Sequence, residues 1–195
     1  MDNINWETAT WQENKVHPHR RVLVELIHDF KPKSVLELGC GYGQNLFNIK
    51  TAMPSVSVTG IDIDETRIKE GIETYKIDLS VGDILKVDFP KDSFDVVMTD
   101  AVYLMINMTT DEVIDLTHKI IKIAKKGILL IEWHREGEIL PGTNVGGRYN
   151  ERYVRDYMEL LKVCGAKNIK FRKITDEEWD STNWRRFGYY ITATT

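Results

Sequence analysis

Three glycines at alternate positions, Gly39, Gly41 and Gly43, follow the apolar run Val35-Leu36-Glu37-Leu38 and precede a helix-like run from Asn45. Glycine tolerates positive φ and lets another molecule approach the backbone. The start of a helix offers unpaired N–H groups. Strand, glycine turn and helix start together make a nucleotide pocket, and the spacing decides which nucleotide. A dinucleotide fingerprint needs glycine at the sixth position of the turn, where this chain has Gln44. A phosphate-cradling P-loop needs a following Gly-Lys-Ser/Thr, which is absent. Glu37 just before the turn is a poor neighbour for phosphate and a good one for a cation.

The elements that must position this turn are readable from periodicity. Val22, Leu23, Leu26, Ile27 and Phe30 have helical spacing within 16–30, and Pro32 stops that helix. Ser34–Leu38 reads as a buried first strand and Asn45–Met53 as a helix ended by Pro54. Val56–Ile61 is a second strand ending at Asp62, with Asp64 as N-cap of a helix to about Glu73. Ile77–Val81 is a weaker third strand ending at Gly82-Asp83. Phe94–Thr99 is a fourth strand ending at Asp100, and Asp111–Ala124 a helix. Gly127–Trp133 is a continuous apolar fifth strand, the mark of burial on both faces. Residues 134–149 read as a loop, Glu151–Val163 as a helix, and Asn168–Ile174 and Arg186–Ala193 as strands joined by a polar loop, Thr175–Asn183. Tyr153, Tyr157, Leu160 and Leu161 form a core-facing helical stripe. Strands alternating with helices predict an α/β sandwich with a parallel sheet covered on both faces. The final pair, lacking a helix between them, is expected to run antiparallel.

With 195 residues, 42% apolar and 29% charged, the chain reads as a single domain over 1–195, with 1–30 as N-terminal lid and helix and 134–149 as a substrate-side loop. A net charge of −4 argues against a dominant nucleic-acid partner. Two cysteines, Cys40 and Cys164, make neither a disulfide framework nor a zinc site, so a reducing, cytoplasmic setting is expected. No apolar run is long enough for a membrane span. The expected oligomeric state is monomer or homodimer.

In this setting Glu37-Leu38-Gly39-Cys40-Gly41-Tyr42-Gly43 resembles motif I of the class I S-adenosylmethionine-dependent methyltransferases, acidic-x-Gly-x-Gly-x-Gly. Gly60-Ile61-Asp62, Gly82-Asp83-Ile84, Phe94–Asp100 and Lys126–Ile131 are similar, in order, to the family's motifs after strands two to five. The resemblance spans roughly 20–193. It implies a Rossmann-like three-layer fold with a seven-stranded, mostly parallel sheet and an antiparallel last strand. It implies S-adenosyl-L-methionine as cofactor, held by Glu37, Gly39, Cys40, Gly41, Gly43, Asn45, Asp62, Ile63, Asp83, Ile84, Asp100 and Ala101. Asp62, about twenty residues past the turn, suits the two ribose hydroxyls, as an acid there also does in dinucleotide folds. Asp83 suits the adenine amine, and Ile84 an apolar face. The methionine end falls near Gly39, Gly41 and Asp100-Ala101-Val102.

Methyl transfer from a sulfonium asks the protein for alignment and exclusion of water. A base is needed only for an acceptor that must lose a proton early, and His134, just past strand five, is the candidate. His17 and His19 flank Pro18 at a helix start and are the weaker candidates for the base, the alternative being that they only line the entrance. Asp100 and Glu132 end neighbouring strands, but no Asp-Asn pair follows strand five, so no metal is expected. Asp100-Ala101-Val102-Tyr103 is unlike the Pro-Pro-aromatic run of base amino-methylases. The expectation is therefore a small-molecule acceptor taking the methyl on oxygen or nitrogen. Its site is expected around Trp6, Trp11, Tyr103-Leu104-Met105 and the 134–149 loop with Arg135, Asn144, Arg148 and Tyr149, with Arg148, Arg152, Arg185 and Arg186 available to an anionic group. The competing readings are a non-catalytic cofactor-binding subunit, a nicotinamide-dependent oxidoreductase, and a protein or RNA methylase.

Overall fold

The structure, a computed structural model, describes residues 17–146 and 151–195. Its first helix, α1 (Pro18–Asp29), starts with Pro18, whose fixed φ suits the first turn and whose missing N–H would go unpaired there anyway. Leu23 and Ile27, one turn apart, are fully buried. Then come β1 (Ser34–Leu38), α2 (Gln44–Ala52), β2 (Ser57–Asp62), α3 (Glu65–Tyr75), β3 (Asp78–Val81) and β4 (Phe94–Asp100). Asp64 caps α3 by accepting from Arg67 N at 3.1 Å. After a single 3-10 turn at Tyr103–Met105 the chain forms α4 (Thr110–Ile123) and β5 (Ala124–Trp133). Thr109 and Glu112 open α4 with a reciprocal capping box.

The sheet has seven strands. From the edge inward the order is β3-β2-β1-β4-β5, followed by β9 (Gly188–Thr194) and β8 (Lys167–Lys173). β9 is antiparallel to both of its neighbours and the other pairs are parallel. This is the Rossmann-like α/β/α architecture expected from the alternation of elements. Successive strand residues point to opposite faces. Val35, Val96, Met98, Leu129 and Ile131 pack with α1, α2, α3 and α6 (Thr182–Phe187). Leu36, Val97, Ile128 and Leu130 pack with α4 and α5 (Tyr157–Val163). Truncating one such fully buried leucine or isoleucine to alanine costs about 2–5 kcal/mol.

Two regions differ from the sequence reading. The expected helix over 151–163 begins only at Tyr157. Before it, β7 (Tyr153–Val154) pairs with β6 (Thr143–Asn144), so the 134–149 segment is partly a hairpin arm. The cause is Arg155. It is fully buried, its guanidinium donates to the carbonyls of Tyr103 and Ile106, and its backbone bridges to His134. Asp156 then caps α5 through Glu159 N. Tyr153 is therefore a strand residue, not part of a helical stripe. The second difference is the last strand, which starts at Gly188 because Thr182–Phe187 is helical. Trp184 stacks on Trp179 at 4.1 Å, and this long-range packing overrides the strand-like local sequence.

Candidate active site

The carboxyl ends of β1, β2, β4 and β5 open into one cavity of about 1560 Å³. Ligand pockets commonly hold about 300–1,000 Å³, so this one has room for a nucleoside-sized group and a second small molecule. Its position outside the strand ends is where open α/β sheets bind ligands.

The glycine turn forms one wall. Gly39 N and Cys40 N both donate to Ile61 O, at 2.7 and 3.0 Å, which curls the turn over β2. Gly39 has φ +77°, and a Cβ there would lie 2.4 Å from Val102 Cγ2, so glycine lets the segment after β4 cross the turn. A Cβ on Gly41, φ +53°, would meet nothing within 4 Å, so its α-carbon faces open space. Gly41 N donates to Asp62 Oδ2 at 2.8 Å and Asp64 N to Oδ1 at 2.9 Å. Each Asp62 oxygen keeps a lone pair for a ligand hydroxyl. Asp83 accepts from Leu85 N at 3.0 Å and pairs with Lys86 at 3.0 Å. These contacts, led by the Lys86 hydrogen bond, hold its carboxyl below the usual range. Cys40 is a buried thiol whose pKa burial pushes up, which keeps it protonated and unreactive.

Behind the turn lies a buried polar network. Asn45 is its junction. Its Nδ2 donates to Glu37 Oε1 at 2.7 Å and to Asp100 Oδ2 at 2.9 Å, and its Oδ1 accepts from Arg20 Nε at 2.9 Å. Arg20, 1% exposed, also donates to Gln44 Oε1 and so ties α1 to α2. Asp100 Oδ2 further meets His19 Nε2 at 3.0 Å, and His19 Nδ1 meets His17 Nδ1 at 2.6 Å. Burial works to raise the Asp100 carboxyl, but His19, Asn45 and Arg20 outweigh it, and the group sits below its ordinary value. Burial pushes His17 down to about 3, helped by His19 and Arg20, and burial lowers His19 despite Asp100. Both imidazoles are therefore neutral at neutral pH. Burial raises the Glu37 carboxyl well above the usual range, which favours its protonated form. Two oxygens of the network, Glu37 Oε2 and Asp100 Oδ1, are buried and have no partner among the described residues. A buried carboxylate oxygen without a donor is costly, and a cationic group placed there would satisfy both.

Of the residues the sequence assigned to the cofactor, all but Gly43 line this cavity: Glu37, Gly39, Cys40, Gly41, Asn45, Asp62, Ile63, Asp83, Ile84, Asp100 and Ala101. Gly43 precedes α2 with its α-carbon against Ile77 and Leu79, where it allows close packing on β3. Tyr103, expected at the acceptor, is fully buried and points away from the cavity, its hydroxyl within 3.0 Å of Thr117 Oγ1. Its neighbours Leu104, Met105 and Ile106 reach the wall instead. His134 does not line the cavity. Its ring sits among Phe171, Tyr189 and Tyr157, and its Nδ1 accepts from Tyr157 N at 3.1 Å. The cause is β5, which carries His134 one residue past Trp133 onto the opposite face. Trp6, Trp11, Arg148 and Tyr149 lie outside the described residues. Arg152 lines the cavity, Arg185 pairs with Asp176 at 3.5 Å, and Arg186 lies over Phe187. Glu132 turns both oxygens to the protein, accepting from the N–H groups of Val102, Tyr103 and Leu104 and from Thr99 Oγ1. It therefore has no oxygen turned toward Asp100 for sharing a metal.

The rest of the wall comes from residues that the sequence ranked low or passed over. His17, Trp133, Trp179 and Trp184 all contribute, and the indole N–H of Trp133 has no partner among the described residues. The pair His17-Pro18-His19 at a helix start was the one local signal. Nothing local marked Trp179 or Trp184, which arrive through the connection after β8.

The comparisons agree with this geometry. Residues 35–127 match the family described as Methyltransferase domain. The fold is shared by human N-acetylserotonin methyltransferase in complex with SAM, with TM-score 0.65 and 19% identity over 91% of this chain and 51% of that one. It is also shared by the 1,6-didemethyltoxoflavin-N1-methyltransferase of Burkholderia thailandensis, with TM-score 0.70 and 14% identity over 92% and 79%. A curated relative, an uncharacterised protein of Rickettsia prowazekii (strain Madrid E), is 27% identical over 124 residues, 60% of this chain. The chain's match spans about half, 47%, of that relative's length. Residues 35–127 thus match a methyltransferase domain, and the chain has the Rossmann-like fold of these solved methyltransferases. Among the described residues no helix is long and apolar enough to cross a membrane.

Proposed function

We propose that the protein transfers a methyl group from S-adenosylmethionine to an oxygen or nitrogen of a small-molecule acceptor. The observation that carries this reading is the pair of buried oxygens, Glu37 Oε2 and Asp100 Oδ1, that have no partner among the described residues and lie beside an open-faced Gly41. A dinucleotide would bring a pyrophosphate to this end of the turn, where the Asp100 carboxylate repels it. A ligand with an ammonium and a sulfonium fits it. In this reading Asp62 accepts from the ribose hydroxyls, Asp83 and Ile84 flank the adenine, and Glu37 and Asp100 meet the positive end. S-adenosylmethionine supplies an electrophilic methyl on a good leaving group. The protein's residues orient it, and the apolar wall of Trp133, Trp179 and Trp184 excludes water from the reacting atoms.

The size of the cavity and its location within a single domain support a small acceptor rather than RNA or protein. Isothermal titration with S-adenosylhomocysteine and with NAD(H) tests the reading. Binding of S-adenosylhomocysteine, weakened at least tenfold by Asp62→Ala, is the expected result. Tight NAD(H) binding with none for S-adenosylhomocysteine would overturn it.

A further inference from the structure

We propose that Trp133 selects the methyl acceptor: its indole N–H donates to a carbonyl oxygen or ring nitrogen on a flat, uncharged or cationic ring system. The proposal rests on the methyl-transfer reading above and deepens it. It is carried by a buried donor at the cavity wall that the protein leaves unused. Trp133 lines the cavity and is 5% exposed, and its Nε1 has no partner among the described residues.

A buried tryptophan usually finds a partner for its N–H, because an unmade hydrogen bond leaves the cost of desolvating the group unanswered. The neighbouring rings explain why this one finds none. Trp184 stands edge-to-face to Trp133, with centroids 6.0 Å apart and planes at 79°, and Phe187 lies at 5.9 Å. Neither side chain carries an accepting lone pair. The cavity is the side from which a lone pair can come. Sheet order decides which ligand brings it. The residues proposed for the cofactor stand at or just past the ends of β3, β2, β1 and β4. β5 is the next strand, and Trp133 lies two residues past Ile131, the partner of Asp100. The connection between β8 and β9 continues this side of the wall with Trp179, Ser181, Asn183 and Trp184. The donor therefore falls in the half of the cavity left to the acceptor.

The wall sets the rest of the class. Trp184 stacks on Trp179 at 4.1 Å with planes at 18°, so these two rings and Trp133 meet as an aromatic corner. Flat ring systems pack on such rings offset or edge-on. Charge chooses the accepting atom. Asp176 pairs with Arg185 at 3.5 Å and Glu178 with Arg172. Glu177 and Asp180 also line this side of the cavity, against Arg152. A carboxylate on the acceptor would meet like charge there. A carbonyl oxygen or ring nitrogen brings the lone pair without the charge. Trp133 makes and breaks no bond in the transfer. By holding one end of the ring it fixes which atom of the acceptor faces the sulfonium methyl.

The indole signals in proton–nitrogen NMR test the donor directly. The chain has five tryptophans, and Trp133→Phe assigns the signal. The Trp133 proton is expected upfield, as for an unbonded N–H. It stays there when S-adenosylhomocysteine binds and moves downfield when a hydroxyquinoline joins the complex. A proton already downfield in the free protein, or moved downfield by S-adenosylhomocysteine alone, overturns the proposal. Calorimetric titration of the S-adenosylhomocysteine-loaded protein with hydroxyquinoline isomers and with the matching naphthols tests the selection. At least one isomer is expected to bind about tenfold or more tightly than its naphthol. Replacing Trp133 by 3-benzothienylalanine keeps the shape and puts sulfur in place of the N–H. That variant is expected to bring the ratio within about threefold, and the ratio cancels any general change in the pocket. Without ligand it should melt no lower than the unaltered protein, because the fold loses no hydrogen bond. Equal binding of every matched pair by the unaltered protein, a ratio kept in the variant, or a lower Tm overturns the assignment. Failure of the unaltered protein to bind S-adenosylhomocysteine instead removes the methyl-transfer reading on which the assignment rests.

Discussion

Glu37 near the end of β1 and Glu132 near the end of β5 lie on either side of β4, and both are buried. Their surroundings are opposite. Glu132 receives three backbone N–H groups and a threonine hydroxyl, so its two oxygens pin the segment after β4. Burial pushes its pKa up to about 7, and those four donors hold it from going further. Among the described residues Glu37 receives one donor, from Asn45, and its second oxygen faces none. The same residue type at the same depth is thus a staple in β5 and an unfilled socket in β1. A buried acid whose oxygens are all used by the protein holds the scaffold. One left short marks the place for a ligand.

Removing the staple should have the largest effect. Glu132→Ala leaves buried N–H groups of Val102, Tyr103 and Leu104 without an acceptor and is expected to cost about 3 kcal/mol or more. In a protein of this size that is a fall in Tm of ~6–12 °C by calorimetry. Little change would mean that water replaces the carboxylate and that the staple is not structural.

Glu37→Gln should move stability the other way. The folded protein holds a proton on Glu37 that the unfolded chain releases above about pH 4.5. Raising the pH through that window therefore removes stability, and a glutamine does not pay this penalty. The variant is expected to melt higher than the unaltered protein above that window, without ligand. It should bind S-adenosylhomocysteine at least tenfold more weakly. A variant that gains stability and keeps full affinity would separate Glu37 from the ligand.

The histidine pair extends the comparison to acid. The folded pKa values of His17 and His19 lie below the unfolded value near 6.5, so the unfolded chain binds more protons as pH falls below it. Chemical denaturation should show stability declining below about pH 6.5, by up to about 1.4 kcal/mol per pH unit for each histidine. The decline should become shallower in His17→Gln. The smallest signal is a proton count. A cation seated against Glu37 favours its ionised form, so ligand binding should release protons over the pH range in which the free protein still holds that proton. Calorimetry in buffers of different ionisation enthalpy reads this release, and Glu37→Gln should abolish it.

The half of the cavity proposed for the cofactor was legible because its parts are local. Gly39 and Gly41 sit in one turn, Asp62 and Asp83 each end a strand that begins a short distance upstream, and strand ends of a parallel sheet meet at one edge. The acceptor half was misread for the converse reason. His134 and Tyr103 stand beside strand ends in the sequence, yet the pleat of β5 turns one away and the Glu132 staple directs the other under α4. Residues 151–156 look helical until Arg155 is seen to be buried against carbonyls from the segment after β4, a contact no local pattern reports.

Outside 143–156 and 182–187, the sequence alone determined the order of strands and helices, the sheet architecture, the turn and its acids, because periodicity, glycine spacing and capping act over a few residues. The tertiary structure alone decided which buried acid is satisfied and which is left open, and which histidine reaches the cavity. Both depend on side chains brought together from α1, β4, β5 and the connection after β8, and only the closed sheet sets those distances.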